Sequence, residues 1–96
     1  MIGSFADEIT EDIYHGLRSK KAAKLPPDIV KVALRKLDMI NSAAKLDDLR
    51  IPPSNRLEKL SGDLAGFHSL RVNDQFRIIF QWNDGVATKV SITDYH

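Results

Sequence analysis

The sequence contains no cysteine, which removes two common sources of stability and chemistry in a small domain. Without thiols the chain forms neither disulfides nor thiolate metal sites. Its three histidines, His15, His68 and His96, lie too far apart in sequence to form a local metal-binding cluster. We therefore expect a protein that uses no metal and no other cofactor.

Long apolar runs are also missing, so no segment has the length of a membrane span. Residues 1–8 lack the basic and apolar regions of a signal peptide, and we expect a soluble cytoplasmic protein with no membrane partner. The formal net charge is only +1, which argues against a generic nucleic-acid-binding tail. A local basic patch stays open, because phosphate binding depends on where the charges lie.

The spacing of hydrophobic residues divides the chain into a first half with helical spacing and a second half with the alternation of strands. A length of 96 residues predicts one domain over residues 1–96. A first helix is expected to begin at Asp7, and a second to run from about 27 to about 43 behind a proline pair. Their apolar stripes, at helical spacing, are Ile9, Ile13 and Leu17, and then Ile29, Ala33, Leu37, Ile40 and Ala44. Lys31, Arg35 and Lys36 are expected to point away from the second stripe.

The second half has the alternation of strands. Residues 67–72, 76–82 and 86–92 predict a three-strand antiparallel meander, with a possible short strand before it at residues 57–59. Helices followed by antiparallel strands predict an α+β fold with the N-terminal helices packed on a small sheet. Three-residue loops at 73–75 and 83–85 bring apolar residues together. The predicted pairs are Leu70–Ile78, Val72–Phe76, Trp82–Val86, Phe80–Thr88, Ile78–Val90 and Phe76–Ile92.

The same register places Arg71 directly opposite Arg77, with Ser91 beside Arg77. Like charges opposite each other across a ladder are unfavourable, so something should offset them. Two guanidinium groups side by side suit a phosphate. Alternatively, both arginines extend into water or pair with nearby carboxylates. The pairing alone leaves both interpretations open.

Two segments and the last three residues resemble a known family. The segments are residues 55–63 (NRLEKLSGD) and 69–78 (SLRVNDQFRI), and the last residues are Asp94-Tyr95-His96. Together they resemble the HigB branch of the RelE toxin superfamily, GraT-like toxins most closely, over almost the whole chain. The resemblance implies a microbial-ribonuclease-like α+β fold, with helices on one sheet face and the site on the other. It also implies an endoribonuclease that cuts mRNA in the ribosomal A site without metal. Its partner would be a cognate antitoxin, usually a helix-turn-helix protein such as HigA.

The resemblance also carries residue roles. Arg77 matches the strand arginine that contacts the scissile phosphate, and Asp94, Tyr95 and His96 match the C-terminal functional residues. Where some HigB members have a histidine and a lysine, this chain has Glu58 and Ser61. The general base is therefore not assigned by the resemblance, although GraT-like sequences share the glutamate. The candidate RNA-binding residues are Arg56, Lys59 and Arg71.

Metal-free cleavage through the RNA 2′-hydroxyl needs a base, an acid and positive charge near the phosphorane. His96 is suited to proton transfer because imidazole titrates near neutral pH. Glu58 is the candidate base, and Tyr95 can stack on a nucleobase or donate a hydrogen bond.

Each role has a plainer alternative. Tyr95 and His96 can be a frayed end, and Glu58 an ordinary solvated carboxylate. His68 and Trp82 lie at apolar positions and are expected to pack. The alternative function is a non-catalytic binding module on the same fold, acting through an antitoxin or another protein partner.

Overall fold

The computed structural model describes residues 1–94, which form two α-helices followed by a four-stranded antiparallel sheet in the order β1-β2-β3-β4. The helices are α1, Glu8–Tyr14, and α2, Pro27–Ser42. The strands are β1, Glu58–Lys59; β2, Phe67–Arg71; β3, Phe76–Asn83; and β4, Val86–Asp94. Short 3-10 helices lie at Ala22–Lys24, Leu46–Arg50, Pro53–Asn55 and Gly62–Leu64. The predicted α+β class is confirmed.

The helices begin where the sequence predicts and end slightly earlier. Asp7 caps α1 by accepting a hydrogen bond from the Thr10 backbone N–H at 2.8 Å. Because α1 ends at Tyr14, Leu17 lies beyond the helix and is 58% exposed, so its predicted place in the stripe is wrong. Ala44 is likewise exposed, because α2 ends at Ser42.

The core lies between α2 and one face of the sheet. Its fully buried members include Ala33, Leu37 and Ile40 from α2, which face Leu70, Ile78, Phe80 and Val90 from the strands. Each large apolar side chain buried in this way contributes roughly 1.5–3 kcal/mol. Since side chains alternate along a strand, the neighbours of these core residues point to the opposite face of the sheet.

The first hairpin has the predicted register. Leu70 pairs with Ile78, and Arg71 pairs with Arg77. The Asn73 side chain fixes the turn by accepting the backbone N–H groups of Gln75 at 2.9 Å and Phe76 at 2.7 Å.

The second hairpin differs from the prediction. Its loop has two residues, Asp84 and Gly85, and pairs Asn83 with Val86. Both loop residues have positive φ, 48° and 79°, as a type I′ turn requires. That turn matches the twist of paired strands, and glycine takes the second position at little steric cost. The predicted three-residue loop, and the pairs based on it, are therefore wrong.

A β-bulge at Lys89 reconciles the short turn with an apolar core. Lys89, with φ 52°, and Val90 together oppose Phe80, so Val90 and Phe80 are both buried while Lys89 is exposed. Beyond the bulge Ser91 pairs with Ile79, and Thr93 pairs with Arg77. The prediction that Ser91 lies beside Arg77 is wrong for this reason.

The N-terminal segment covers the outer edge of β4. Ile2 and Phe5 form parallel bridges with Ala87 and Val90, and Gly3 passes so close that an added Cβ would lie 2.8 Å from Val86 Cγ1. Beyond Phe5, the start of α1 covers the next part of the same β4 edge.

The start of α1 fastens the end of β4. Ile92 N–H donates to Thr10 Oγ1 at 2.9 Å, and Ser91 Oγ donates to Asp7 Oδ2 at 2.7 Å. These bonds hold the strand just before Thr93 and Asp94.

Among residues 1–94, no helix is long and apolar enough to cross a membrane.

Candidate active site

The Arg77 side chain is buried on the sheet face opposite the helices, with only 8% of the residue exposed. Its Nη1 donates to Ser69 Oγ at 2.8 Å and lies 3.2 Å from Glu58 Oε2. Its Nη2 donates to Glu58 Oε1 at 3.4 Å. We refer to Glu58, Ser69 and Arg77 as the Arg77 cluster. A buried guanidinium held on two sides in this way has little freedom to reorient.

Strand pairing explains how three residues distant in sequence meet. Glu58 pairs with Ser69 across β1 and β2, which places both side chains on one face. Arg77 reaches this pair from β3. The Glu58 side chain lies at the open edge of the sheet and is 54% exposed, so the cluster joins a buried cation to a solvent-facing carboxylate.

Arg71 lies directly opposite Arg77, and a second carboxylate offsets the repulsion between them. The Arg71 guanidinium forms an ion pair with Asp74 in the hairpin loop, while Glu58 pairs with Arg77. Of the two interpretations of this arginine pair, carboxylate pairing is the one present in the chain without RNA. The two guanidinium groups therefore lie side by side on one face of the sheet, each with a carboxylate partner.

The other candidate RNA contacts lie around this face and behind it. Arg56 is exposed, just after the 3-10 helix Pro53–Asn55, in a left-handed conformation with φ 46°. Lys59 pairs with His68, so it points to the opposite face from Glu58. The structure thus brings Glu58, Arg71 and Arg77 together but directs Lys59 away from them.

His68 packs against Phe80, with ring centroids 6.0 Å apart, as expected for a packing residue. Burial lowers the pKa of His68, and the positive charge of Lys59 lowers it further. This histidine therefore lies on the core side of the sheet, away from the Arg77 cluster.

The C-terminal candidates are only partly described. Asp94 ends β4 opposite Phe76 and accepts a hydrogen bond from Gln75 Nε2 at 3.1 Å. Its neighbour Thr93 pairs with Arg77. Tyr95 and His96, both candidate catalytic residues, lie outside the described residues. Within residues 1–94, no group of three metal-ligating side chains is close enough to hold an ion.

Two residues near this site, Ser69 and Lys36, were not predicted from the sequence to take part in it. Ser69 holds the buried guanidinium, and strand alternation with the β1 register was the signal that could have located it. Lys36 was expected to point away from the core of α2, but it is only 7% exposed and donates to Asn55 Oδ1. Nothing in the helical pattern indicates that partner, because Asn55 lies in an irregular segment.

Solved structures with the same architecture are toxins. A YoeB–YefM complex from Staphylococcus aureus matches with a TM-score of 0.63 at 20% identity, covering 100% of this chain and 98% of that one. The YoeB dimer from the same organism matches with a TM-score of 0.60 at 22% identity, over 99% and 94% of the two chains. At such identities the likeness establishes the fold, which is the RelE fold of the YoeB toxins.

Sequence relatives establish the family. Residues 3–96 match the HigB-like toxin model, described as the RelE-like toxin of the type II toxin-antitoxin system HigB. Toxin HigB-1 of Vibrio cholerae is 46% identical over 83 residues, which cover 86% of this chain and 85% of that protein. An uncharacterized protein of Haemophilus influenzae is 42% identical over 62 residues, covering 65% of this chain and 61% of that protein. The chain belongs to the HigB-like family of RelE-like toxins.

Proposed function

We propose that this toxin is a ribosome-dependent endoribonuclease that cuts mRNA in the ribosomal A site. The observation that carries the proposal is the Arg77 cluster: a buried, doubly held guanidinium with Arg71 opposite it and an accessible carboxylate beside it. Such preorganised positive charge stabilises a phosphorane without reorganisation during the reaction. Membership of a toxin family supports the same conclusion.

The proposed reaction uses the RNA itself as nucleophile. Glu58 takes the proton of the 2′-hydroxyl as its oxygen attacks phosphorus, while Arg77 and Arg71 stabilise the charge that develops on the phosphate oxygens. The P–O5′ bond then breaks, and the 5′-oxygen leaves with a proton from an acid, for which His96 is the candidate. The products are a 2′,3′-cyclic phosphate and a 5′-hydroxyl, and no metal takes part.

The register of β4 supports a role for the C-terminal residues. Thr93, not Ser91, is the partner of Arg77, so Tyr95 follows that partner by only two residues. Two residues of chain span at most roughly 7 Å, so we expect Tyr95 to reach a phosphate bound at Arg77. In the proposed complex Asp94 orients this end, Tyr95 stacks on a nucleobase and His96 transfers the proton.

The proposed partners follow from the same role. The toxin binds the ribosome and mRNA in the cytoplasm, with Arg56 and Lys59 as candidate backbone contacts. A cognate antitoxin, of the HigA-like helix-turn-helix kind, would silence it. The YoeB toxin of similar fold is found in complex with YefM.

Cleavage of a defined mRNA tests the proposal. We expect cuts within the A-site codon on programmed ribosomes, and slow or no cutting of the same RNA free in solution. Equal cutting of free and ribosome-bound RNA would contradict ribosome dependence, and an absence of cuts in both would contradict the nuclease.

One observation favours the alternative of a non-catalytic binding module. Glu58 already neutralises Arg77 without RNA, as a purely structural arginine would require. Growth arrest distinguishes the two functions: deletion of His96 should abolish arrest by a nuclease and leave arrest by a binding module unchanged.

A further inference from the structure

A buried lysine on α2 contacts the segment that leads into the candidate active site. The Lys36 ammonium donates to Asn55 Oδ1, and Asn55 itself is fully buried. Asn55 is only three residues before Glu58. The reaction proposed above uses neither Lys36 nor Asn55.

Asn55 organises the irregular segment before β1. Its Nδ2 donates to the carbonyl oxygens of Leu49 at 3.2 Å and Ile51 at 3.4 Å. Its backbone N–H donates to Pro52 O at 2.9 Å. The Asn55 side chain thus holds two backbone carbonyls of this segment, its backbone N–H holds a third, and Lys36 holds that side chain to the helix.

The lysine is an unfavourable choice for stability alone. Burial lowers the pKa of Lys36, and the charges of Arg35 and Arg71 lower it further. A methionine would fill the same volume without the cost of removing an ammonium from water. The compensating feature in the structure is the bond to Asn55.

We propose that Lys36 is a positioning residue: through Asn55 it holds residues 49–58 so that the Glu58 carboxylate meets Arg77. The proposal rests on the proposed nuclease function for its effect on rate. Its structural part, the fastening of the segment to α2, stands independently of that function.

Substitution Lys36→Met tests the effect on the reaction, because it keeps the apolar stem and removes the donor. Single-turnover cleavage at saturating programmed ribosomes should slow roughly 10-fold, since small displacements of a reacting group cost large rate factors. The ribosome concentration for half-maximal rate should stay within about two-fold, because the segment is not proposed to bind the ribosome. Should Lys36→Met not fold, Lys36→Leu, which also removes the donor and stays apolar, carries the same comparison.

The matched control is Ile40→Val, one turn further along α2. Ile40 is fully buried in the core, so this change destabilises α2 packing without removing the bond to Asn55. Its cleavage rate should stay within about two-fold of the wild type. A Lys36→Met rate no lower than the Ile40→Val rate would overturn the inference.

A double-mutant cycle tests whether Lys36 acts through Glu58. In a Glu58→Gln background, Lys36→Met should change the remaining rate by less than about two-fold, because the group it positions is already inactive. The same roughly 10-fold loss in both backgrounds would contradict the proposal.

Hydrogen exchange supplies a readout that does not depend on cleavage. Lys36→Met should speed amide exchange in residues 49–59 by roughly 10-fold while leaving the β3–β4 hairpin unchanged, as expected for a local opening. Unchanged exchange in residues 49–59 would overturn the inference whatever the cleavage result. A wild-type chain that cuts no RNA would instead refute the proposed function, and exchange alone would then decide the structural part.

Discussion

Arg77→Lys separates the fork geometry of Arg77 from its positive charge. Within residues 1–94, two guanidinium nitrogens contact Ser69 Oγ and both oxygens of Glu58. A lysine offers one nitrogen and cannot reproduce this fork. Loss of a charge-assisted hydrogen bond costs about 1.5–3 kcal/mol, and the lower half of that range applies because Glu58 is half exposed.

The expected result is a moderate loss of stability with a large loss of activity. A cost of about 1.5–2 kcal/mol corresponds to a fall in Tm of roughly 6–16 °C for a domain of this size. Loss of one preorganised phosphate contact costs about 2–4 kcal/mol of transition-state stabilisation, a rate factor of roughly 30 to 1,000. Arg77→Ala is a poorer test, because it leaves the buried Ser69 hydroxyl without this donor.

Urea unfolding and single-turnover cleavage on programmed ribosomes measure the two effects separately. The control is Arg50→Lys, which alters an exposed ion pair with Asp47 and should change neither quantity appreciably. An Arg77→Lys protein that is folded at the assay temperature and cleaves within about three-fold of the wild type would refute the role of the fork.

Substitutions of Glu58, His68 and Gly85 test the base, the buried histidine and the β3–β4 turn separately. Glu58→Gln should lower cleavage at saturating ribosomes by roughly 10²–10⁴-fold with unchanged ribosome binding, as measured by co-sedimentation. Burial and the positive charge of Lys59 lower the pKa of His68 in the folded chain. As the pH falls below 6.5, the unfolded chain therefore binds a proton at this histidine before the folded chain does. The free energy of unfolding should decrease from pH 6.5 down to the folded pKa of His68. Urea titrations should show that loss in the wild type and less of it in His68→Gln. Gly85→Ala, at φ 79°, should destabilise the chain by about 1–2 kcal/mol in the same assay.

Each of these has a result that would contradict it. An unchanged saturating rate for Glu58→Gln would return Glu58 to the role of a surface carboxylate. Parallel pH profiles for the wild type and His68→Gln would remove His68 as a source of acid sensitivity. Unaltered stability of Gly85→Ala would contradict the positive φ of the turn.

Periodic features of the fold were predictable because burial on one face leaves a regular trace in the sequence. The core positions Ala33, Leu37 and Ile40 follow from helical spacing. The pairing of Arg71 with Arg77 follows from matching apolar residues across a short loop. Both predictions depend only on residues within one helix or within two strands joined by a short loop.

Irregular features were not predictable by the same argument. The bulge at Lys89 shifts the β3–β4 register, and a period of two cannot indicate an inserted residue. Lys36 is buried because of Asn55, which lies 19 residues away in a segment with no period. In the candidate site Arg77 was indicated by the strand register and by a family resemblance, and Glu58 by the need for a general base. Their contact depends on β1, a strand of only two residues.

The chemical nature of the new RNA ends shows whether the 2′-hydroxyl of the RNA is the nucleophile. Purified toxin, programmed ribosomes and a 5′-labelled mRNA would be incubated and the cut ends analysed by kinase labelling and by acid treatment of the 3′ ends. We expect cuts in the A-site codon that leave a 5′-hydroxyl and a 2′,3′-cyclic phosphate, because the 2′-oxygen is the nucleophile and the 5′-oxygen leaves. Ends bearing a 5′-phosphate and a 3′-hydroxyl, or no cuts with wild-type toxin, would contradict it.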